Sequence, residues 1–253
     1  MPIITDDDRP HRPGPEPLWA ETWQFDFAAD APGAGSPPGG FVALHCWPNL
    51  GTAWWWTHLL TASGLVALRD HEVAMPRTGL EVRADGLWGD LVCETPLEHW
   101  SIGLEAFAVR YDDPVDAWGD EWGERIPVGL DLEWETTGAP QPGPVPGPPG
   151  EPEGGWCQAG TVHGEILVGP SDRFAFNGTS VRSRRWGVAD WWTAPERSWP
   201  EPLPDGSEVA GCAPLLIVGP GGRRSRLLRE LRRHPGGDYQ WSERLTDEPR
   251  RRG

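Results

Sequence analysis

The feature that most constrains the fold is a strict alternation of residue types between Trp156 and Val168. One alternate set contains Trp156, Gln158, Gly160, Val162, Gly164, Ile166 and Val168, whereas the other includes His163 and Glu165. A period of two residues is the pattern of a β-strand whose two faces meet different surroundings. Residues 169–172 supply turn formers, and residues 173–181 can return antiparallel. The sequence therefore predicts a β-hairpin in this region.

Similar short runs recur along the chain and are bounded by Gly, Pro and Asn. They predict strands at residues 21–28, 41–47, 53–60, 65–71, 80–84, 91–94, 100–111, 128–134, 214–218 and 239–245. Pro114 after Asp113 predicts a short helix over residues 114–122. Residues 224–233 fit either a helix, from the spacing of their leucines, or a strand, from the glycine turn before them. We favour the strand, so the chain is expected to be all-β.

Two segments resist regular structure. Residues 138–155 are dominated by Pro and Gly, which removes hydrogen-bond donors and adds unfolded-state entropy, so we predict a linker. It would separate an N-terminal β unit at 18–137 from a C-terminal β unit at 156–253. Residues 1–17 are acidic, Pro-rich and without periodicity, and they are expected to form a mobile tail.

After the hairpin, five residues match a Trp-rich corner: Arg182, Trp186, Gly187, Asp190 and Trp191. This stretch resembles the hydroxyneurosporene synthase (CrtC) and AttH-like families of lipocalin-related barrels, in which the corner reads R-D-H-S-W-G-x-R-D-W. Residues 94–100, ETPLEHW, also look like an N-terminal signature of actinobacterial members without an assigned function. The resemblance implies tandem lipocalin-like antiparallel β-barrels, or one large two-part β-barrel or sandwich, with at most one or two short helices.

The predicted function is binding of a bulky apolar metabolite in a Trp-lined barrel pocket. The resemblance implies polyene or terpenoid compounds, and we extend this to the terpenoid, steroid and polyketide types. The chain has 17 Trp residues, whose large apolar rings suit such a pocket. Candidate ligand-binding residues are Trp54, Trp56, Trp100, His163, Arg184, Trp186 and Trp191. For most of the tryptophans, and for His163 beside Glu165, the alternative is an ordinary core or surface position.

The alternative function is a hydratase, isomerase or cyclase that acts on a carbon–carbon double bond. Such chemistry needs a positioned acid in a dry pocket. Glu94, Glu98 and His99 are the candidate catalytic residues, although a hydrogen-bonded structural corner explains them equally well. Arg184 occupies the position of the family's corner His and stays protonated at neutral pH, so it cannot replace an imidazole as proton donor. Whether the protein is an enzyme stays open at this point.

Charge and cysteine content limit the possible partners, metal sites and cellular locations of the protein. The net charge is −16, which argues against a nucleic-acid partner. Positive charge is concentrated in residues 221–253, which hold 10 Arg against 5 acids. That basic end could touch an anionic partner, or serve as a solvated strand edge. The four Cys are widely spaced, so we expect free thiols, no disulfide and no zinc site. We also expect no cofactor, no other metal, no membrane span and a cytoplasmic location; the sequence sets no oligomeric state.

Overall fold

The predicted fold class is confirmed, because the protein is an all-β, lipocalin-like antiparallel barrel. The structure is a computed structural model, and it describes residues 2–30, 37–62, 64–119, 123–142, 153–189, 198–199, 206–218, 224–236 and 239–246. Within these ranges helical structure is confined to two short 3-10 helices, Thr5–Asp8 and Pro114–Trp118. Of the two arrangements that the resemblance left open, the structure shows one barrel with a second sheet packed against it.

The strands are numbered in chain order. They are β1 (Trp19–Ala29), β2 (Gly39–Trp47), β3 (Thr52–Thr61), β4 (Gly64–Ala74), β5 (Val82–Ala84), β6 (Leu87–Thr95), β7 (His99–Tyr111), β8 (Glu124–Thr136), β9 (Gln141–Pro142), β10 (Gly154–Val168), β11 (Asp172–Val188), β12 (Ser198–Trp199), β13 (Glu208–Val218), β14 (Arg224–Arg233) and β15 (Tyr239–Thr246). Every predicted strand falls on one of these. The helix predicted over 114–122 is shorter, and Asp113 caps it by accepting a hydrogen bond from the Val115 N–H at 3.0 Å.

Eight strands close into a ring. The order is β4-β3-β2-β1-β11-β10-β8-β7, and β7 pairs back onto β4, so that the last strand meets the first. Closure leaves no unpaired edge within the ring, and eight strands enclose a space that side chains alone can fill. Strands β5 and β6 extend the sheet beyond β7, and β9 adds to β10.

The alternation in β10 gives the strand two different faces, as predicted. Trp156, Val162 and Ile166 point into the ring and are at most 1% exposed, whereas His163 and Glu165 on the other face are exposed. Side chains of the same kind from the other strands complete a continuous apolar core inside the ring, including Trp23, Phe25, Trp55, Trp100 and Trp134. The interior of the barrel is therefore packed with aromatic and aliphatic side chains.

Strand β11 differs from the sequence prediction in its length. A return strand over 173–181 followed by a corner was expected, but β11 runs without interruption to Val188. Residues 178–188 of β11 pair with β1 and residues 172–186 pair with β10, so that Arg184, for example, lies between Trp23 and Trp156. The residues of the predicted corner up to Gly187 are thus barrel-wall residues, and Asp190 and Trp191 lie outside the described residues.

A second sheet packs on the outside of the ring. It has the order β12-β15-β14-β13, so residues 224–233 form a strand, as predicted. Apolar side chains of this sheet, such as Leu215, Leu231 and Trp241, join the outward side chains of β1 to β4 in a second core. Strands β1, β2 and β3 are therefore buried on both faces. They have no solvent-exposed face of the kind that a barrel wall in contact with water would show.

The ring combines strands from both sides of residues 138–155, because β10 and β11 lie between β8 and β1. The predicted division into an N-terminal β unit at 18–137 and a C-terminal β unit at 156–253 stays a prediction. At the N-terminus the helix Thr5–Asp8 lies against the barrel, and Asp8 is 1% exposed. The predicted mobility of residues 1–17 concerns motion and stays a prediction too.

Candidate functional site

The outer wall formed by β6, β7, β8, β10 and β11 carries chemically distinct rows of side chains. Strand register places Gly103, Asp131 and Glu165 side by side in one row. The next row toward the turn at Gly169 contains Glu105, Gly129 and Leu167. Because side chains on one face of neighbouring strands are in contact range, an acidic row adjoins a largely apolar one.

A cleft of about 840 Å³ lies along these two rows. Its apolar lining includes Trp88, Phe107, Pro127 and Leu167, of which Phe107 is 51% exposed. Gly129 leaves the floor open, because a Cβ built there would only reach ordinary contact distance from Leu167. A volume of this size, a mainly apolar lining and a few polar groups are the usual properties of a small-molecule site.

The charged groups of the cleft are unevenly balanced. Three carboxylates, Glu105, Asp131 and Glu165, line it together with one cation, Arg173. Arg173 lies 3.2 Å from Glu165, so its charge is already paired. Asp131 lies directly opposite Glu165 in the register of β8 and β10. Two like charges in this position repel each other when no ligand is bound between them. The site therefore favours ligands that donate hydrogen bonds or carry positive charge.

Two of the predicted catalytic residues come together at the edge of this wall. His99 Nε2 lies 2.6 Å from Glu133 Oε2, and the Ser101 hydroxyl is 3.0 Å from both Glu133 and Glu94 carboxylate oxygens. Glu133 is also the register partner of His163. Sequence reasoning missed Glu133, although its outward position on β8 was visible in the alternation of residues 128–134. Glu94 and His163 are exposed, and the His99 side chain is 37% exposed.

Glu98 does not join this network through its side chain. It is exposed and follows the turn that begins at Thr95, where its backbone N–H donates to the Thr95 carbonyl at 3.0 Å. Its own carbonyl accepts from the Thr136 N–H at 2.9 Å. The structure thus places Glu98 in a hydrogen-bonded corner between β6 and β7, and no contact in the described residues gives its carboxylate a chemical role.

Trp100, Arg184 and Trp186 belong to a different place, the mouth of the barrel beside the N-terminal helix. Arg184 is fully buried and lies over Trp23, with its Cζ 3.8 Å from the ring centroid. Its side chain donates to the carbonyls of Thr22 and Arg9 at 2.9 and 3.1 Å. Burial lowers the pKa of Arg184 to about 10. Trp186 is partly buried and stacks on His11, with ring centroids 4.0 Å apart.

Next to Arg184, Arg182 holds Asp8 in a buried ion pair. Their atoms are 2.5 and 3.1 Å apart, and both side chains are shielded from solvent. Asp8 comes from the N-terminal segment, whereas Asp190 of the Trp-rich corner lies outside the described residues. Sequence reasoning missed Asp8, because nothing in a Pro-rich acidic segment distinguishes one aspartate from its neighbours.

Trp54 and Trp56 occupy a third location, between the barrel and the second sheet. They are 2% and 1% exposed, and the Trp56 indole N–H donates to His71 Nε2 at 3.1 Å. The predicted ligand-binding tryptophans therefore do not converge on one cavity. Trp191 lies outside the described residues, so its predicted role stays a prediction, as do those of the other site residues.

Across the described ranges, no group of three or more His, Cys, Asp or Glu side chains is arranged to hold a metal ion. In the same part of the chain, no helix has the length and apolar character that crossing a membrane requires. The four cysteines form no disulfide with one another.

Comparison with known proteins gives the family of this chain. A crystal structure from Nitrosomonas europaea, of a protein provisionally described as AttH, is 13% identical with a TM-score of 0.39, and the match covers 91% of this chain and 66% of that one. No curated protein matches the sequence. A family model described as a domain of unknown function, DUF7064, matches residues 5–201. Since this match spans most of the chain, the protein belongs to the DUF7064 family.

Proposed function

We propose that this protein binds a bulky, mainly apolar small molecule in the cleft on the outer wall of the barrel. The observation that carries the proposal is the cleft itself, with about 840 Å³ of space between Trp88, Phe107 and Leu167. A terpenoid, steroid or polyketide has a compatible size and a largely apolar surface. Burial of its apolar area would supply most of the affinity.

The carboxylates of the cleft supply orientation. Glu105 and Asp131 are exposed acceptors that line the cleft, and a hydroxyl or amine group of the ligand would donate to them. An ionised carboxylate is acceptor-only, so an acidic ligand would be repelled. We therefore expect sterol-like or terpenoid alcohols and amines to bind, and the corresponding acids to bind less tightly.

The geometry favours binding over the enzymatic alternative. Protonation of an alkene needs an acid that is kept away from water. Glu94 and Glu98 are exposed, and the side chains of His99 and Glu133 are each 37% exposed. These groups form a solvent-exposed polar border beside the cleft. In that position they would contact polar parts of a ligand.

The test uses Nile red, a neutral apolar dye whose emission rises in apolar surroundings. Gly129→Leu fills the floor of the cleft without a backbone conflict, and it is expected to reduce dye affinity about tenfold or more, since one poorly accommodated side chain costs roughly 1–3 kcal/mol. Asn177→Leu adds the same side chain to an exposed position of β11 outside the cleft and is the matched control. Equal affinity in the two variants, or no displacement of the dye by any terpenoid alcohol or sterol, would refute the proposal.

A further inference from the structure

We propose that the mouth of the barrel is a second binding site, specific for carboxylates, which Asp8 of the protein itself occupies. An apolar carboxylic acid from solution would bind there in place of the Asp8 side chain. We call the hydrogen-bond donors that the barrel places around Asp8 the receptor. The evidence is the arrangement of these donors, the backbone strain and the unpaired buried donors beside them, and the cavity that adjoins them. The site is separate from the outer-wall cleft and does not depend on it.

Four donors converge on the Asp8 carboxylate. Arg182 contributes Nη1 at 2.5 Å and Nη2 at 3.1 Å, the Leu97 backbone N–H lies at 2.6 Å, and the Trp100 indole N–H lies at 3.4 Å. A two-point contact from a guanidinium is the geometry that proteins use to recognise carboxylates. All four donors belong to the barrel, whereas Asp8 belongs to a short segment that precedes β1.

The barrel holds the guanidinium in position without help from Asp8. Arg182 Nη2 also donates to Gln158 Oε1 at 3.0 Å. The Arg182 Cζ lies 5.1, 4.9 and 4.5 Å from the ring centroids of Trp100, Trp134 and Trp156, so three indoles surround it. Such an aromatic cage stabilises the cation and offers apolar faces to whatever binds beside it.

Backbone strain is concentrated at the same receptor. Leu97 has φ of 64°, and it is the one non-glycine residue with positive φ among the described residues. That conformation costs free energy for a residue with a side chain, and such strain is typical of functional positions. Here it directs the Leu97 N–H toward Asp8, while the Leu97 carbonyl accepts from Gln158 at 2.8 Å. The segment 94–100, singled out in the sequence, thus supplies two of the four donors.

The receptor has more donors than Asp8 satisfies. Arg182 Nε, Trp134 Nε1 and Trp156 Nε1 are buried and have no hydrogen-bond partner among the described residues. A buried donor without an acceptor costs about 1–3 kcal/mol. A ligand that carries further oxygens next to its carboxylate, such as a hydroxy or keto acid, would supply acceptors that a single aspartate lacks.

Space for the rest of the ligand adjoins the receptor. A cavity of about 390 Å³ is lined by Asp8 and Trp100 together with apolar side chains of β6, including Leu91 and Val92. Arg9 and the carboxylates of Glu81 and Asp90 also line it. Its size lies at the lower end of small-molecule sites. Removal of Asp8 from the mouth would take away the carboxylate that Arg182 pairs with, whereas Glu21 would stay 3.5 Å from Arg184. The vacated site would therefore attract an anion and reject a neutral analogue of the same shape.

The experiment is chemical rescue of Asp8→Ala. This variant should have a lower unfolding temperature than the unmodified chain, and sodium phenylacetate should raise that temperature in a saturable manner. Neither 2-phenylethanol, which has the same ring but no charge, nor sodium chloride at the same ionic strength should do so. Asp6→Ala is the matched control, because Asp6 is an exposed residue of the same helix. It should be stable and should not respond to phenylacetate.

Competition in the unmodified chain provides a second measurement. Phenylacetate should accelerate amide hydrogen exchange within residues 5–11, because it displaces Asp8, and it should leave Nile red binding to the cleft unchanged. If Asp8→Ala does not fold alone, refolding in phenylacetate should recover it where 2-phenylethanol does not. Equal responses to the acid and the alcohol, equal responses of Asp8→Ala and Asp6→Ala, or unchanged exchange at 5–11 would overturn the proposal.

Discussion

His58 stacks on Phe41 between the barrel and the second sheet, with ring centroids 4.7 Å apart and ring planes at 20°. The residue is fully buried, and neither of its ring nitrogens has a hydrogen-bond partner within the described part of the chain. Burial lowers the pKa of His58 well below its ordinary value of 6.5, and burial also lowers the pKa of both His45 and His71 to about 3. Three neutral imidazoles therefore lie on this side of the barrel wall.

These histidines should make the protein sensitive to acid. Above pH 6.5 they are neutral in the folded and the unfolded chain, so they add no pH dependence. Below pH 6.5 the unfolded chain binds protons that the folded chain excludes. The free energy of unfolding should then fall by about 1.4 kcal/mol per pH unit for each histidine that stays neutral in the folded chain, and for His45 and His71 this fall should continue to about pH 3. Urea unfolding at pH 7.5, 6.0 and 5.0 measures the slope.

His58→Phe isolates one of these groups. Phenylalanine keeps the stack on Phe41 and cannot be protonated, so the slope below pH 6.5 should decrease by the share of one histidine. The variant should also be more stable than the unmodified chain at pH 5.0. An unchanged slope would show that His58 does not resist protonation in the folded state.

Arg229 should be the main electrostatic connection between the two sheets. It is 1% exposed, lies 2.7 Å from Asp26 on β1 and 3.4 Å from Glu243 on β15, and stacks over Phe41 at 4.0 Å. Arg229→Met would remove the cation that lies beside the buried carboxylates of Asp26 and Glu243, and it should cost about 3–5 kcal/mol in urea unfolding. Arg232→Met, on the same strand but partly exposed, should cost less than about 1 kcal/mol. Similar losses in the two variants would contradict this assignment.

The sequence predicted the strands well because periodicity is a local property. In β10 it separated Trp156 and Ile166 inside the ring from His163 and Glu165 outside it. In β3 the same reasoning could not tell whether Trp54 and Trp56 point into the ring or toward the second sheet, since both sides of that strand are covered. A covering sheet built from strands more than 130 positions further along the chain leaves no local pattern in β3.

The candidate sites were less accessible to sequence reasoning for a physical reason. The outer cleft depends on register, which aligns Gly103, Asp131 and Glu165 across three strands. The mouth depends on the contact of Asp8 with Arg182, whose positions are 174 residues apart. Both arrangements are tertiary, whereas the outward position of Phe107 on β7 was already visible in the alternation of residues 100–111.

Gly164 should tolerate no side chain. Its φ is 143°, and a Cβ built there would collide with the Asp131 carbonyl oxygen on β8. Gly164→Ala should therefore lower the free energy of unfolding by about 1–3 kcal/mol, measured by urea unfolding. Gly129→Ala on the neighbouring strand is the control, because its Cβ meets only ordinary contacts and should be nearly neutral. Equal costs would show that the backbone at Gly164 adapts.

The cysteines should react slowly in the folded protein. Burial raises the pKa of the Cys46 thiol to about 12 and the pKa values of Cys93 and Cys157 to about 11. Since the thiolate is the reactive form, a colorimetric disulfide reagent at pH 7.5 should label these three much more slowly than in urea. Rapid labelling of Cys46 without urea would contradict its burial.

Closure of the ring has a consequence for biosynthesis. Trp19 at the start of β1 pairs with Val188 at the end of β11, so one edge of β1 has no partner until nearly three quarters of the chain has left the ribosome. Strands with open edges join other chains readily, and contacts of such long sequence separation form late. A nascent chain of this protein should therefore depend on chaperones, and its yield should respond to translation speed between β8 and β11.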